Sequence, residues 1–466
     1  MDKVLIVAYG SRDSAIADVL YRSDAGFSLY FADKQKNPFN LELARKTKGK
    51  HVVIPDLSVT EIYDFAKGIE KLRFVICGSE GPVVDGITDQ IEDGLEIPVI
   101  APRRKYAIEG SKAKQRKLIQ HITPEASPDF EVFEKSRYPN FGEAWPGAKN
   151  FMRRHNYNVV LKPVRPASGK GVMVYGDHFQ AAWEAKKLFK DMLESGGLIV
   201  EEKLEGEESS FMAFCDGKRI FPLPETRDYK RAFDGDKGPN TGGMGSYMDS
   251  NYWLPFMTEN EWKKEVAIME KIFNRMKGKD YEPGLKGMPF YVAFMHTKEG
   301  PKILEINSRP GDPEIMNILP ALETDFGEIC LGIIEGNLKE IKMKPLASVV
   351  TYLVPPTYGG KESEQNFDRS VNMKPLNKIV EDNDMLRAYP GSMELGDDGK
   401  IYMLKSRALA VVGMEETIED ARIQSTKAAD LVSLTGGELW RRSDIASESH
   451  IQKSIEHMKE LRSYAK

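Results

Sequence analysis

The chain has 466 residues, of which 41% are hydrophobic and 29% charged, and its formal net charge is −5. This length exceeds what one hydrophobic core usually serves, so the composition predicts a globular protein of two to four domains or subdomains. The mild, well-mixed acidity argues against a nucleic-acid role that needs a basic stripe, but it allows local sites for small phosphorylated ligands.

The three cysteines, Cys77, Cys215 and Cys330, lie far apart and form no CxxC pair. We therefore expect reduced structural thiols rather than a metal site or a disulfide framework. The N-terminal run MDKVLIVAYG is typical of a strand rather than of a leader peptide, and no window reaches transmembrane length without charges. These features predict a cytoplasmic protein that contacts neither a membrane nor nucleic acid.

The first hundred residues alternate short apolar runs with helical patterns. The runs rich in β-branched residues are KVLIVAYG, FSLYFAD, HVVIPD, LRFVICG and IPVIAP. This alternation predicts βαβ units and an open parallel sheet, in which ligands bind beyond the carboxyl ends of the strands. Two glycine turns fall there, one at Gly10 and one at Gly78 and Gly81, and each precedes a helical pattern whose N-terminal amides suit a phosphate. Neither turn is a full GxGxxG, so strand-to-helix packing explains each turn alone at least as well.

Beyond residue 105 the order of elements changes. A basic helix at 109–122 leads to a strand, a glycine loop at 168–171, a second strand, a helix and the strand-like GGLIVEEKLEGEESSF. This order predicts a small α+β lobe. The glycines of the loop let backbone amides approach a phosphate, although such a hairpin is more often a simple turn. Lys162 on the incoming strand favours the phosphate interpretation, because a buried lysine needs an anion.

Three later segments each allow two interpretations. The acidic run at 201–208 is either a solvated edge or a hinge that meets a purine base and its ribose. The glycine-rich loop at 238–245 is either a plain surface loop or a lid over a substrate. In GPKILEINSRPGDPE, Glu305, Asn307 and Arg309 are two residues apart and share one face of an extended chain. That face is either simply the solvent-exposed side of an antiparallel strand, or it offers two oxygen ligands to magnesium and a guanidinium to a phosphoryl group.

After about residue 335 the segments SVVTYLVPPTYGG, KIYMLKSRALAVVGM and TIEDARIQSTKAADLVSL predict a separate, compact β-rich region with a helix. The motifs can then be taken together. In this order, Lys162, the SGKG loop, EEKLEGEE and LEIN resemble the ATP-grasp superfamily. Within it, KRAFDGDKGPNTGGMG and SRPGDPE are similar to the glycinamide ribonucleotide synthetase family, and the similarity extends along nearly the whole chain to the tail SRALAVVGMEETIEDA.

The resemblance implies a multidomain α/β and α+β fold. An N-terminal open parallel sheet (1–104) would hold the phosphoribosyl group, ATP-grasp central domains (105–334) would carry a mobile small lobe at about 125–197, and a small β-rich C-terminal domain with a terminal helix (335–466) would complete the chain. The implied reaction uses ATP and Mg²⁺ or Mn²⁺ to phosphorylate the carboxylate of glycine. The amine of phosphoribosylamine then attacks, giving glycinamide ribonucleotide in purine biosynthesis. This chemistry needs charge neutralisation and positioning rather than an enzyme nucleophile, and the resemblance implies a monomer or weak homodimer.

Carried over residue by residue, the resemblance implies four groups of site residues. The nucleotide would be held by Lys112, Lys162, Ser168, Gly169, Lys170, Gly171, Glu202, Lys203, Leu204 and Glu207. The phosphoribosyl group, the amino acid and the acyl phosphate would meet Gly10, Gly78, Gly81, Asp228, Asn240, Thr241, Gly242, Gly243 and Asp312. The catalytic cations would be Arg309, Lys230 and Arg231. Magnesium would be bound by Glu305 and Asn307.

The chain departs from the family's pattern at Ser14, Tyr229 and Pro310, where the family usually has histidine, histidine and phenylalanine. The strand PFYVAFMHT also lacks the carboxylate that many ATP-grasp enzymes use as a second metal ligand. We expect the departures to lie near the amino acid and the amine. Two alternatives therefore stay open, a ligase for another amino acid or amine and a catalytically silent nucleotide-binding paralogue. The intact basic residues and metal ligands argue against the silent paralogue, and a nicotinamide dehydrogenase would leave two-thirds of the chain unexplained.

Overall fold

A computed structural model of the chain describes residues 1–164, 171–360, 369–435 and 438–463. Near the N-terminus it contains strands β1 (Asp2–Ala8), β2 (Phe27–Asp33), β3 (His51–Val53), β4 (Leu72–Cys77) and β5 (Val99–Ile100). The helices between them are α1 (Ser11–Tyr21), α2 (Pro38–Lys46), α3 (Val59–Lys67), α4 (Glu80–Asp85) and α5 (Ile87–Leu95). The strands form one parallel sheet in the order β3-β2-β1-β4-β5, so the predicted open parallel sheet is confirmed. Because the order reverses between β1 and β4, a crevice opens beyond their carboxyl ends.

A small lobe follows helix α6 (Lys112–Ile122). Its elements are β6 (Phe130–Glu134), α7 (Phe141–Arg154), β7 (Val159–Pro163), β8 (Met173–Val174), α8 (Ala182–Glu194) and β9 (Gly197–Glu202). The four strands form an antiparallel sheet in the order β6-β9-β7-β8, and the lobe has a hydrophobic core of its own around Phe133, Phe151 and Phe189. Strand β6 and helix α7 were not predicted, because their segment is polar and helix α7 contains Pro146.

The central and C-terminal parts contain the remaining elements. Their strands are β10 (Glu207–Asp216), β11 (Ile220–Pro222), β12 (Thr226–Asp228), β13 (Arg231–Phe233), β14 (Lys237–Asn240), β15 (Gly245–Met248), β16 (Lys286–Thr297), β17 (Gly300–Asn307), β18 (Ala347–Leu353), β19 (Val371–Asn372), β20 (Leu386–Pro390), β21 (Met393–Leu395), β22 (Ile401–Met403), β23 (Leu409–Glu415) and β24 (Ser433–Leu434). Their helices are α9 (Glu259–Lys277), α10 (Ile315–Ile318), α11 (Phe326–Glu335), α12 (Lys374–Glu381), α13 (Ile418–Ala429) and α14 (Glu448–Ser463). None of the helices in the described ranges combines the length and apolar character that a membrane span requires.

One large sheet joins the central part to the C-terminal part. Its order is β17-β16-β10-β12-β15-β18-β23-β20, with β11 on the side of β10. The β-rich C-terminal region that the sequence predicts is present, but its strands extend the central sheet instead of standing apart. The connection is the antiparallel pair β15–β18, in which Tyr247 lies opposite Val349 and both side chains are fully buried. An apolar run predicts a strand but does not identify the strand's partner, so this continuity could not be predicted.

The segment predicted as a continuous glycine-rich loop at 238–245 has a different structure. Residues 237–240 form β14, which pairs with β13 so that Arg231 lies opposite Asn240, and β15 already begins at Gly245. The prediction of one long loop is therefore wrong, and only residues 241–244 connect strands. The glycines concealed the hairpin because glycine is depleted in most strands. We call residues 231–240 the β13–β14 hairpin.

Candidate active site

A cleft of about 1140 Å³ lies where the N-terminal sheet, the small lobe, the central sheet and the C-terminal segment meet. The predicted site residues that line it are Gly10, Gly81, Lys112, Lys162, Glu202, Lys203, Leu204, Glu207, Asp228, Lys230, Arg231, Asn240, Thr241, Gly242, Glu305, Asn307, Arg309 and Asp312. Ser168, Gly169 and Lys170 lie outside the described residues. The folded chain thus brings together side chains that are up to about three hundred positions apart in the sequence.

Three predicted glycines are not among the lining residues, namely Gly78, Gly171 and Gly243. A Cβ atom added at Gly78 would overlap the carboxylate of Asp13. At Gly243, where φ is +106°, an added Cβ would lie 2.5 Å from Oδ1 of Asp228. Glycine at positions 78 and 243 therefore has a packing reason, since each lets a buried carboxylate approach the backbone.

A buried ionic network fixes the floor of the cleft. The carboxylate of Glu201, on β9, accepts hydrogen bonds from Nε of Arg116 at 2.6 Å and lies 2.6 Å from Nζ of Lys162. The guanidinium of Arg116 also donates to the carbonyls of Ile303 and Leu304 on β17. Burial alone would raise the pKa of Glu201, but the two cations hold it at about 2. The predicted phosphate lysine thus sits on a fixed carboxylate that joins the small lobe to the central sheet.

Strand β17 supplies the acidic end of the cleft. Nζ of Lys112 donates to Oε2 of Glu305 at 2.7 Å, and the side chain of Glu305 is 40% exposed in the cleft. Burial opposes the ionisation of Glu305, but Lys112, Lys230 and Lys162 outweigh it and lower its pKa below the ordinary range. The predicted residues Lys112 and Glu305 are therefore brought into direct contact.

Magnesium fits this arrangement. Asn307 is 7% exposed, and its side-chain amide nitrogen has no hydrogen-bond partner among the described residues. Opposite Glu305 on β16 lies Ala293, so the neighbouring strand adds no carboxylate there. Within the described ranges no group of three or more His, Cys, Asp or Glu residues could hold a metal ion. One carboxylate and one amide oxygen are nevertheless sufficient for Mg²⁺ that is held largely by substrate phosphates and water.

Arg309 comes two residues after Asn307 and also lines the cleft. Its guanidinium lies 3.6 Å from Oε1 of Glu109 and 5.7 Å from the ring centre of Tyr291. Burial would lower the pKa of Arg309, but Glu109 raises it above the ordinary value. The arginine therefore stays positively charged at the centre of the cleft, where an anion can approach it.

The C-terminal part contributes a residue that the sequence did not predict. Arg407 lies 3.0 Å from Oδ1 of Asp312, also donates to the backbone carbonyl of Gly242, and covers the ring of Tyr352 at 4.8 Å. The hydroxyl of Tyr352 donates to the same carboxylate of Asp312 at 2.7 Å. Arg407 thus fixes both Asp312 and the segment 241–244 that leads into β15. No motif marks it, because it precedes an ordinary apolar strand.

A second acidic group lies behind these residues. Oδ1 of Asp228 is buried and has no hydrogen-bond partner among the described residues, and burial together with nearby Glu314 raises its pKa well above the ordinary value. Lys230 pairs with Glu208 at 2.5 Å. Despite the burial of Lys230, Glu208 and Asp228 raise its pKa. The cleft therefore contains a carboxyl group that holds its proton to a higher pH than usual, beside a lysine that remains charged.

Strand alternation separates Glu207 from Glu208. Ser210 lies opposite Ala293, which in turn lies opposite Glu305, so Glu208 and Ser210 project from the same face as Glu305. The carboxylate of Glu207 is instead held by Arg227 at 2.5 Å and by His457 of α14 at 2.6 Å. The predicted ribose contact of Glu207 stays a prediction, and Glu208 is the carboxylate on the face of the predicted metal ligands.

Two basic side chains, Arg12 and Lys34, line the crevice beyond β1 and β4 alongside acidic ones. Arg12 is 5% exposed and its Nε has no hydrogen-bond partner among the described residues, and the same holds for the hydroxyl of Ser79, which is 3% exposed. Nζ of Lys34 lies 4.4 Å above the ring of Tyr9. All four residues line the cleft next to the N-terminus of α1. Donors without partners at a helix N-terminus are suited to a phosphate group.

The departures from the family's pattern have buried structural contacts. The hydroxyl of Ser14 donates to the carbonyl of Pro390 at 2.8 Å. The hydroxyl of Tyr229 accepts from the amide of Ala446 at 2.9 Å, and the carbonyl of Pro310 accepts from Arg12 at 3.1 Å. The side chains of Ser14 and Tyr229 therefore contact the C-terminal part of the chain, and Tyr229 also lines the cleft.

The fold and the cleft define an ATP-grasp protein. Residues 130–315 match the family of the phosphoribosylglycinamide synthetase ATP-grasp (A) domain, and residues 2–109 match the N domain of the same synthetase. The phosphoribosylamine–glycine ligase of Methanocella arvoryzae is 38% identical, and the ligase of that name from Methanocaldococcus jannaschii is 35% identical, each over 99% of this chain and 100% of the relative. The chain therefore belongs to the phosphoribosylglycinamide synthetase family, and the resemblance inferred from its motifs is confirmed.

Solved structures agree on the fold. The crystal structure of the phosphoribosylamine–glycine ligase from Thermotoga maritima superimposes with a TM-score of 0.73 at 23% identity, covering 95% of this chain and 100% of that chain. The N5-carboxyaminoimidazole ribonucleotide synthetase from Thermotoga maritima gives a TM-score of 0.60 at 15% identity, covering 94% of this chain and 100% of that chain. At these identities the likeness shows the fold alone.

Proposed function

We propose that the chain joins glycine to 5-phosphoribosylamine at the expense of ATP, forming glycinamide ribonucleotide, ADP and phosphate in purine biosynthesis. One observation carries the proposal. The chain matches phosphoribosylamine–glycine ligases along its whole length, and its cleft brings Lys112, Glu305, Asn307 and Arg309 together with the basic residues Arg12 and Lys34 of the crevice beyond β1 and β4. A nucleotide, an amino acid and a phosphorylated amine can therefore meet in one cleft.

The first step transfers a phosphoryl group. A carboxylate oxygen of glycine attacks the γ-phosphorus of ATP, the bond to the bridging oxygen breaks, and ADP leaves with that electron pair. The step requires neutralisation of phosphate charge, for which Lys112, Lys162 and Lys230 are available in the cleft. Arg309 would hold the carboxylate or the phosphoryl group in transfer. Mg²⁺ or Mn²⁺, which Glu305 and Asn307 would hold, supplies further neutralisation of the phosphate oxygens.

The second step forms the amide. The nitrogen of phosphoribosylamine attacks the carbonyl carbon of glycyl phosphate, the bond from that carbon to the phosphate oxygen breaks, and the nitrogen loses a proton. Oδ2 of Asp312 lies 3.5 Å from where a Cβ atom on Gly10 would be, which supports a role for Asp312 beside the crevice. Arg407 and Tyr352 fix its carboxylate, and we propose Asp312 as the proton acceptor.

The remaining roles complete the proposal. The hinge Glu202 to Leu204 would meet the adenine, and Glu208 is a second candidate beside Glu207 for the ribose hydroxyls. Arg12, Ser79 and Lys34 would bind the phosphate of the amine substrate. The oligomeric state, the cytoplasmic location and the mobility of the small lobe stay predictions.

The test is release of ADP with ATP and Mg²⁺, using phosphoribosylamine generated in place from ribose 5-phosphate and ammonia. Glycine is compared with alanine and serine, and each substrate is omitted in turn. We expect turnover that needs both glycine and the amine. Turnover only with another acid or amine would reassign the substrates, and ATP binding without turnover would indicate a silent paralogue.

A further inference from the structure

A turn of the small lobe reaches across the nucleotide end of the cleft. It consists of residues 175–178, directly after β8, and Gly176 gives it a φ of +89°. On one side, Nζ of Lys203 in the predicted adenine hinge donates to the carbonyl of Tyr175 at 2.9 Å. On the other side, the turn presents Asp177 to the β13–β14 hairpin. The turn therefore lies between the predicted adenine site and the predicted catalytic cations.

Asp177 contacts one of those cations. Nη2 of Arg231 lies 2.5 Å from Oδ2 of Asp177, while Nη1 of Arg231 donates to the carbonyl of Gly238 at 2.9 Å. The side chain of Asp177 is 43% exposed and that of Arg231 is 26% exposed, and both residues line the cleft. The guanidinium is thus held at two points, one within its own hairpin and one on the small lobe.

The hairpin itself is anchored elsewhere. The guanidinium of Arg442 is fully buried and donates to the carbonyl of Arg231 at 3.1 Å and to Asp236 at 2.8 Å. The backbone amide of Ser443 donates to Asp234 at 2.9 Å, and the amide of Gly235 donates to Asp444 at 2.8 Å. The backbone of the hairpin is therefore tied to the C-terminal segment. Among the residues that the structure describes, the hairpin meets the small lobe through the hydrogen bond between the Arg231 guanidinium and Asp177.

We propose that Asp177 is a positioning residue for phosphoryl transfer, which acts through Arg231 when the small lobe lies over the nucleotide. In this position Asp177 orients the guanidinium and at the same time attaches the small lobe to the hairpin. Without Asp177 the guanidinium keeps its bond to Gly238 but loses its second constraint, and the lobe loses one contact across the cleft. The inference rests on the proposed function, since Arg231 is a predicted catalytic cation.

The experiment uses the full chain with three substitutions. Asp177→Asn removes the charge, Asp177→Glu keeps it, and Asp191→Asn is the matched control, because Asp191 is exposed on α8 of the same lobe. Binding of ADP with Mg²⁺ is measured by calorimetry, and kcat and KM are measured for each substrate. For Asp177→Asn we expect ADP affinity to fall about twofold to fivefold, the range of an exposed ion pair. We expect kcat to fall about tenfold, because a catalytic group is misplaced, with the KM of glycine and amine within twofold of wild type.

Asp177→Glu should restore most of kcat, and Asp191→Asn should match wild type. Equal kcat and equal ADP affinity in Asp177→Asn and Asp191→Asn would overturn the inference. So would a loss of kcat in Asp177→Asn that Asp177→Glu does not restore at all. If the wild-type chain binds ADP but turns over no substrate pair, the proposed function fails. The contact between the small lobe and the hairpin is then tested by ADP binding alone, and unchanged ADP affinity in Asp177→Asn would overturn it. A chain that binds no ADP would overturn both.

Discussion

The hydroxyl of Tyr229 accepts a 2.9 Å hydrogen bond from the backbone amide of Ala446, 217 residues further along the chain. The guanidinium of Arg442 lies 5.0 Å from the centre of the same ring, which is 2% exposed. The tyrosine thus packs the C-terminal segment against the end of β12. We expect Tyr229→Phe to lower the free energy of unfolding by about 1–2 kcal/mol, because the amide of Ala446 loses its acceptor, and to leave kcat/KM for glycine unchanged.

Urea denaturation and steady-state kinetics on the same preparation measure both quantities. Asp228→Asn is the contrasting variant, since the neighbouring side chain lies in the cleft, and it should impair turnover. A change in amino-acid preference in Tyr229→Phe would contradict the structural role of the tyrosine.

The sequence predicted the parts of the site that alternate along a single strand. The spacing of Glu305 and Asn307 places both on one face of an extended chain, and the resemblance of LEIN to the ATP-grasp superfamily added the metal role, which stays a prediction. The contact between Arg116 and Glu201 was not predicted, because the two residues are 85 positions apart and each looks like an ordinary surface charge. Arg407 was missed for the same reason. Sequence patterns report neighbours along a strand or helix, whereas pairing between distant elements depends on the finished fold.

The buried network beneath the cleft should be a large contributor to stability. The side chain of Glu201 is 3% exposed and faces two cations. Glu201→Gln leaves Arg116 and Lys162 buried without their counter-charge, so we expect a loss of about 3–5 kcal/mol in the free energy of unfolding. Glu42→Gln serves as the control, because Glu42 pairs with Lys46 on an exposed helix surface and its loss should be below about 1 kcal/mol. Equal effects of the two substitutions in urea denaturation would contradict the buried role.

Two carboxyl groups between α9 and the central sheet should make stability depend on pH. Glu265 and Glu225 are both fully buried next to His296 and Ser209, with Glu261 and Arg462 nearby. Burial raises the pKa of Glu265 to about 8. Because this pKa is higher in the folded chain than in the unfolded chain, the folded chain binds the extra proton between about pH 4.5 and 8. The stabilisation is complete below that window and is lost as the pH rises through 8.

Glu265→Gln tests this directly, because the amide resembles a carboxyl group that has kept its proton. At pH 5 we expect the variant and the wild type to unfold at similar urea concentrations, and at pH 8 we expect the variant to be more stable by on the order of 2 kcal/mol. His296, whose pKa burial lowers to about 4, affects only the range below its ordinary value of 6.5. Glu270→Gln on the exposed side of α9 is the control and should follow the wild type at both pH values. A pH dependence that Glu265→Gln does not alter would contradict the protonated carboxyl group.

Lys34 should determine affinity for the phosphorylated amine. It is exposed at the end of β2, where its ammonium group lies above Tyr9 and beside the crevice that contains Arg12. We expect Lys34→Ala to raise the KM for phosphoribosylamine about tenfold, since one charge contact to phosphate is lost, with kcat and the KM for ATP unchanged. Lys36→Ala is the matched control. Lys36 lies two positions after Lys34 in the sequence and pairs with Asp397 instead. Equal KM values for the amine in both variants would remove Lys34 from the phosphate site.

The assignments on β17 can be separated by two substitutions with different expected signatures. Glu305→Gln keeps the shape of the side chain but removes the charge that faces Lys112, so we expect turnover to fall by more than a thousandfold while the unfolding midpoint stays close to that of wild type. Glu299→Gln, in the exposed turn before β17, should behave like wild type.

Arg309→Ala should slow formation of the acyl phosphate far more than it weakens ATP binding, because the guanidinium acts on the group in transfer. ATP affinity by calorimetry and a single-turnover measurement of ADP formation distinguish the two steps. Near-normal turnover in Glu305→Gln would exclude Glu305 as a metal ligand, and parallel losses of binding and turnover in Arg309→Ala would make that arginine structural.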